Sequence, residues 1–198
     1  MNQLLEYRSR FIRKISMVVS ALLAGVTISY AAPSGGVVTS GTANISQNGN
    51  TTNINQSTHK ATINWNKFNI AQNETVNFNQ PNASSITLNR VIGNERSVIN
   101  GALNANGQVW ILNSNGVLFG KNASINTAGL LATTAKLSDN DFNIGNYNFK
   151  NSSSNSVINL GTINISNEAY AVLAGKKVTN EGSIKAVKGK IHFKRFIK

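Results

Sequence analysis

The chain has no cysteine, which excludes disulfides, thiolate metal sites and thiol chemistry. Proline occurs only at Pro33 and Pro81, and 7 acidic residues are scattered over 198 positions. So few carboxylates argue against the converging acids that metal-dependent or general acid/base chemistry needs. Helix-favouring composition is missing too: Asn takes 32 positions and Gly 16, interleaved with β-branched residues, a mixture suited to corners and side-chain amide ladders. The formal charge is +12, but the body is nearly neutral, with 7 basic and 5 acidic residues over 32–175. The excess sits at the two ends, so no nucleic-acid partner is expected.

Arg8, Arg10, Arg13 and Lys14 precede the apolar run Ile15–Ile28, which is too short for a comfortable membrane span. Ser29 and Ala31 then place small residues at −3 and −1 of a cleavage site. The pattern predicts a signal peptide over 1–31, cut between Ala31 and Ala32, with residues 32–198 as one exported domain. An uncleaved N-terminal anchor helix is the alternative.

Between Val98 and Thr134, short apolar runs (Val109–Leu112, Val117–Phe119, Leu130–Ala132) alternate with corners at Asn106–Gly107, Asn113–Gly116 and Ala128–Gly129. Such short strands do not fit long hairpins. They fit a chain that turns repeatedly and stacks on itself, a parallel β-solenoid. SVINLGTINI (156–165) and KVTNEGSIKA (177–186) align at an offset of 21, pairing Val157 with Val178, Asn159 with Asn180 and Ile163 with Ile184. The same alignment continued pairs Tyr170 with Ile191 and Val172 with Phe193, and Ser-Val-Ile-Asn recurs at 97–100 and 156–159. Residues 35–57 read as short capping strands, since a solenoid must cover its first open rung. Alternation in 61–70 predicts a half-buried strand with a bulge near Lys67. Residues 137–156, with Phe142, Tyr147 and Phe149 among polar residues, read as an excursion: a small hairpin ending in a flexible loop, opened by an Asx-type turn at Asp139 and Asp141. The residues after Phe193 fit no rung.

NRVIG (89–93), SVINGALNANGQVWILNSNGVLFG (97–120), INTAGLLATT (125–134) and DFNIGNYNF (141–149) resemble, in order, the two-partner secretion domain of filamentous-haemagglutinin-type and high-molecular-weight-adhesin-type exoproteins. The resemblance covers nearly all of the chain after the leader. It implies an all-β, right-handed parallel β-helix with N-terminal cap strands and a small extra-helical hairpin. It also implies export through the Sec translocon, then recognition by an outer-membrane transporter with POTRA domains, for a chain secreted or displayed at the surface of a Gram-negative bacterium. Two departures stand out. The family's corner Asn-Pro-Asn-Gly is Asn113-Ser114-Asn115-Gly116 here, and Ser does not preset φ as Pro does. The chain also ends within a coil, which reads as a truncated exoprotein or a remnant of one, with any host or bacterial surface ligand bound by the missing downstream region.

The candidate transporter-recognition and folding residues are Asn89, Arg90, Asn113, Ser114, Asn115 and Gly116, with Asn115 and Gly116 equally explained by corner geometry. No catalytic, cofactor or metal-ligating set is expected. A secreted carbohydrate-active β-helix is the enzymatic alternative, and it would need converging carboxylates. His59 and His192 have no acid near them in sequence, so a solvated histidine is the default.

Overall fold

Alternating inward aliphatics and outward amides, broken by Asn/Gly corners, produce strands of three to six residues among the described residues. The computed structural model describes residues 32–151 and 153–196. The leader expected at 1–31, with Ala31, lies outside them. Two short strands, β1 (Val37–Ser40) and β2 (Ala43–Asn48), precede the coils. The early coils contain β3 (Thr51–Gln56), β4 (Lys60–Trp65), β5 (Thr75–Asn79) and β6 (Ile86–Val91). Each later coil has three strands. These are β7 (Ser97–Ile99), β8 (Ala102–Ala105) and β9 (Gln108–Leu112), then β10 (Val117–Phe119), β11 (Ser124–Thr127) and β12 (Gly129–Thr133). They are followed by β13 (Ser156–Asn159), β14 (Thr162–Ile165) and β15 (Tyr170–Gly175), then β16 (Lys177–Asn180), β17 (Ser183–Ala186) and β18 (Lys190–Arg195).

The strands stack into three sheets that form the faces of a prism, ordered β1-β4-β6-β9-β12-β15-β18, β16-β13-β10-β7 and β17-β14-β11-β8-β5-β3-β2. Coil-to-coil pairing is parallel, whereas β1 on β4 and β2 on β3 are antiparallel. The fold is therefore the expected parallel β-helix, with β1 and β2 as its cap.

Inside the prism, like stacks on like. Val76, Leu103, Ile125, Ile163 and Ile184 form one aliphatic line. Thr52 ends that line beneath Val76, its buried hydroxyl without a hydrogen-bond partner. On the outer surface of the same sheet, Asn77 donates to Asn53 at 3.1 Å, Asn104 to Asn77 at 3.1 Å, Asn126 to Asn104 at 3.1 Å and Asn164 to Asn126 at 3.0 Å. Each amide accepts from the next coil while it donates to the one before, so the ladder satisfies itself.

Register corrects several expectations. Val157 does face Val178, Asn159 faces Asn180 and Ile163 faces Ile184. The next corner is one residue shorter in the last coil, so Tyr170 faces Lys190, Ala171 faces Ile191 and Val172 faces His192. The two Ser-Val-Ile-Asn copies stack one residue out of step: Ser97, Val117 and Val157 share a line. The inward residues are Ser97 and Ile99 in one copy but Val157 and Asn159 in the other, and the inward set fixes register. Lys67 is not a bulge; β4 ends at Trp65, and Lys67 bridges Ser34 at a corner. Lys194 and Arg195, expected outside any rung, extend β18 against Ala174 and Gly175.

The excursion between β12 and β13 carries a helical turn, α1 (Asp139–Ile144), where a hairpin was expected. Ser138 caps its N-terminus, accepting the Asp141 N–H, and Gly145 closes it with φ 79°. An antiparallel bridge between Lys136 and Lys150 shuts its base. The Ser-Asp-Asn-Asp segment is thus a helix cap in place of the expected Asx turn, built from the same kind of local side-chain bonding.

Candidate functional site

The candidate residues fall on one sheet and one corner line. Asn89 points inward on β6, between Ile63 and Ile111, and is 0% exposed. It accepts the Trp65 Nε1–H at 3.0 Å and donates to the carbonyls of Thr87 and Trp110 at 3.2 and 3.3 Å. A buried amide with three partners is a structural group that satisfies the indole placed beside it. Arg90, the next residue, points outward. Its guanidinium donates to Asn64 Oδ1 at 3.0 Å, to the Leu137 carbonyl at 2.9 Å and to Asp139 at 2.6 Å. Arg90 therefore pins the start of the excursion to the sheet.

What lies under the excursion was missed from sequence. Ile86, Leu88, Trp110, Leu112, Leu131, Leu137 and Phe142 form a second buried cluster outside the prism. Trp110 packs edge-on against Phe142 at 5.6 Å and Tyr147 at 4.8 Å between ring centroids. Lys60 donates to the Phe142 carbonyl at 2.7 Å, and its ammonium lies 5.2 Å from the Phe142 and Tyr147 rings. That places a cation at the carbonyl end of α1 and over two aromatic faces. The signal was present: Val109–Leu112 and Gly129–Ala132 are apolar without alternation, the mark of strands buried on both faces. At the edge of this cluster the Tyr170 hydroxyl accepts from Trp110 Nε1 at 2.7 Å and donates to Gln108 at 2.5 Å. Burial is the main cause that raises its pKa to about 12.

The corner Asn113–Gly116 is a closed turn. The Gly116 N–H returns to the Asn113 carbonyl at 2.9 Å, and Asn113 Oδ1 accepts the Asn115 N–H at 2.9 Å. Asn113 is 0% exposed and donates to the Glu95 carbonyl at 2.9 Å and Ser97 Oγ at 3.0 Å. Asn115 reaches the Gly93 carbonyl at 2.9 Å. Gly116 has φ 102°, and a Cβ there would stand 2.9 Å from the Ser156 carbonyl, so both torsion and space require glycine. Ser114 offers its carbonyl to Ser153 Oγ at 2.5 Å and Asn155 Nδ2 at 2.9 Å. The two blocks, 89–93 and 113–116, are thereby stitched corner to corner, and Ser153 and Asn155 lock the far end of the excursion onto them.

Between that corner line and the excursion lies a groove of about 550 Å³, lined among others by Arg90, Ile92, Gly93, Leu112, Ser114 and Leu137. Ile92 stands 64% exposed at its edge. The structure thus brings the candidate residues together and divides them: Arg90, Ser114 and Asn115 reach the surface, whereas Asn89, Asn113 and Gly116 are buried. Of the two cleavage-site residues, Ala31 lies outside the described residues and Ala32 is buried at the cap. Asp139 is engaged by Arg90, and Asp141 by Ser138 and Asn146. Among the described residues no three His, Asp or Glu side chains converge as a metal site.

The TPS secretion domain family matches residues 29–194. A heme/hemopexin-binding protein of Haemophilus influenzae strain Rd is 39% identical over 188 residues, 90% of this chain and 21% of that protein. A second H. influenzae protein of that name is 47% identical over 96 residues, covering 48% of this chain and 10% of its own length. This chain therefore spans about a fifth of the first of these relatives. Among solved structures, the HMW1 secretion domain of H. influenzae superimposes with a TM-score of 0.79 at 38% identity, over 82% of this chain and 44% of that one. The β-helical architecture agrees with that assignment, and the chain belongs to the TPS secretion domain family.

Proposed function

We propose that this chain is the secretion-recognition domain of an exported adhesin- or haemagglutinin-like exoprotein. It leaves the cytoplasm through the Sec translocon, is met in the periplasm by the POTRA domains of an outer-membrane barrel, and folds into its β-helix outside the cell. The cell surface or the medium is its destination. The observation that carries this reading is the division of the family-like residues. Asn89, Asn113 and Gly116 are spent inside the folded coil, where no partner reaches them. A transporter that reads these segments reads them before folding, when their alternating strands are free to add to a sheet edge. Once the corners close, each coil is held by its neighbour and cannot slide back, which biases movement outward.

The binding of heme and hemopexin in the relatives' names belongs to proteins of which this chain matches 21% in the longer alignment.

The test is secretion from paired strains with and without the cognate barrel. Material is expected in the medium only when the barrel is present, with the protein otherwise held in the periplasm and degraded. Barrel-independent release defeats the proposal.

A further inference from the structure

The backbone nitrogen of Ala32 lies 3.1 Å from Glu74 Oε1. Ala32 is 5% exposed, and Pro33 beside it is buried as well. The residues that follow are tied to the body. Ser34 donates to the Lys67 carbonyl at 2.9 Å, and its own carbonyl accepts from Asn66 and Lys67 at 3.0 and 3.2 Å. Gly36 lies so close to Trp65 that a Cβ would fall 2.5 Å from the indole ring. Segment 32–36 therefore has a fixed course that delivers one nitrogen to one carboxylate.

Glu74 is held just as firmly. Its Oε2 accepts the Ala71 N–H at 2.7 Å, and its own N–H returns to the Ala71 carbonyl at 2.9 Å. Gly101 of the next coil sits directly on this turn: a Cβ there would fall 2.1 Å from the Ala71 carbonyl oxygen and 2.4 Å from that of Glu74. Among the described residues the ion pairs are Lys67–Glu95 and Arg90–Asp139. Glu74 is matched instead with two backbone N–H groups, one of them at Ala32.

A peptide N–H supplies one donor and no charge. A free α-amino group has an ordinary pKa near 7.7–8.0, so at neutral pH it supplies three donors and a full positive charge. Cleavage of the Ala31–Ala32 bond makes that conversion at this atom. Water adds across the amide, its hydroxyl going to the Ala31 carbonyl carbon and its proton to the Ala32 nitrogen, which takes a second proton from solvent. We infer that Glu74 is the receptor for the N-terminus created by leader removal, and that the resulting ammonium–carboxylate pair locks the cap onto the first rung. Charge-assisted hydrogen bonds are about twice as strong as neutral ones, and the pair forms at a partly buried site. Processing thus becomes part of folding: an uncut chain has the cap strands but lacks their latch. This inference rests on the leader reading of residues 1–31 and is independent of recognition by the barrel.

The experiment uses the processed full chain. Mass spectrometry of the purified protein is expected to find Ala32 as the first residue. Thermal midpoints are then compared for the free amine, for the same protein acetylated at that nitrogen, and for a chain that retains Ala31, each with Glu74 and with Glu74→Gln. The free amine is expected to melt about 2–4 °C higher than either blocked form, with the difference abolished in Glu74→Gln. A different first residue, equal midpoints with Glu74 present, or a difference that survives Glu74→Gln each overturns the inference. The blocked forms keep Glu74, so the central comparison does not depend on the variant folding. A failure of barrel recognition is seen separately, in the secretion assay.

Discussion

The two long sheets of the prism share one construction and present opposite surfaces. On the sheet containing β5, β8 and β11 the outward line is Asn53, Asn77, Asn104, Asn126 and Asn164, solvated and bonded amide to amide. On the sheet containing β6, β9 and β12 an outward line runs through Leu88, Trp110, Leu131 and Val172, and the excursion covers it. Inward residues are much alike on the two sheets, because the prism needs continuous apolar lines. Outward residues decide whether a face stays in water or collects a second layer. The excursion is therefore the counterpart of the ladder: one face satisfies itself with amides, and the other requires a lid.

Truncating the lid should have the largest effect on that contrast. Phe142→Ala removes a ring that is 0% exposed and is expected to cost about 3–5 kcal/mol. Hydrogen exchange should speed up in 135–150 and along β9 and β12, while the amide-ladder face keeps its protection. Equal loosening of both faces would show that the second cluster is not a separate layer. Within the prism, Asn89→Ala leaves the Trp65 indole N–H and the Trp110 carbonyl without their side-chain partner and is expected to cost about 1–3 kcal/mol. The loss should appear in the denaturation midpoint, with blue-shifted Trp fluorescence retained. Asn104→Ala interrupts the ladder at its centre, on a solvated face, and is expected to cost about 0.5–1.5 kcal/mol. A larger loss would mean that the amide line is strongly cooperative. The smallest change belongs to the corner that leads from the covered sheet into the four-stranded sheet, between β9 and β10. Ser114→Pro restores a residue preset for the second position of a turn and is expected to stabilise by about 0.4–1 kcal/mol through the unfolded chain, read as a small rise in midpoint.

The covered face is only partly legible in the sequence. Val109–Leu112 reads as a buried strand from its unbroken apolar run, but nothing local says which segment lies over its outer side. Leu137, Phe142 and Phe149 belong to a stretch rich in Asn and Ser, and α1 is too short for helical periodicity to register there. The same limit explains the slipped alignments. The offset of 21 holds from Val157 to Ile163, then fails because one corner lost a residue. Corner length leaves no trace in apolar periodicity. Asn89 and Asn113 are recognition candidates through the family-resembling blocks 89–93 and 113–116, and a sequence block does not say which of its amides turn inward; both are buried with their bonds made inside.

The sequence by itself determined the coil: short apolar strands, glycine and asparagine corners, and near-periodic spacing admit little besides a self-stacking parallel solenoid, because inward aliphatics bury themselves only by lying over one another. Tertiary structure alone decided which amides are core and which are surface, where the excursion folds back, and that Ala32 meets Glu74. Those outcomes depend on contacts between residues tens of positions apart, brought together by the exact number of residues in each corner, and no local pattern encodes them.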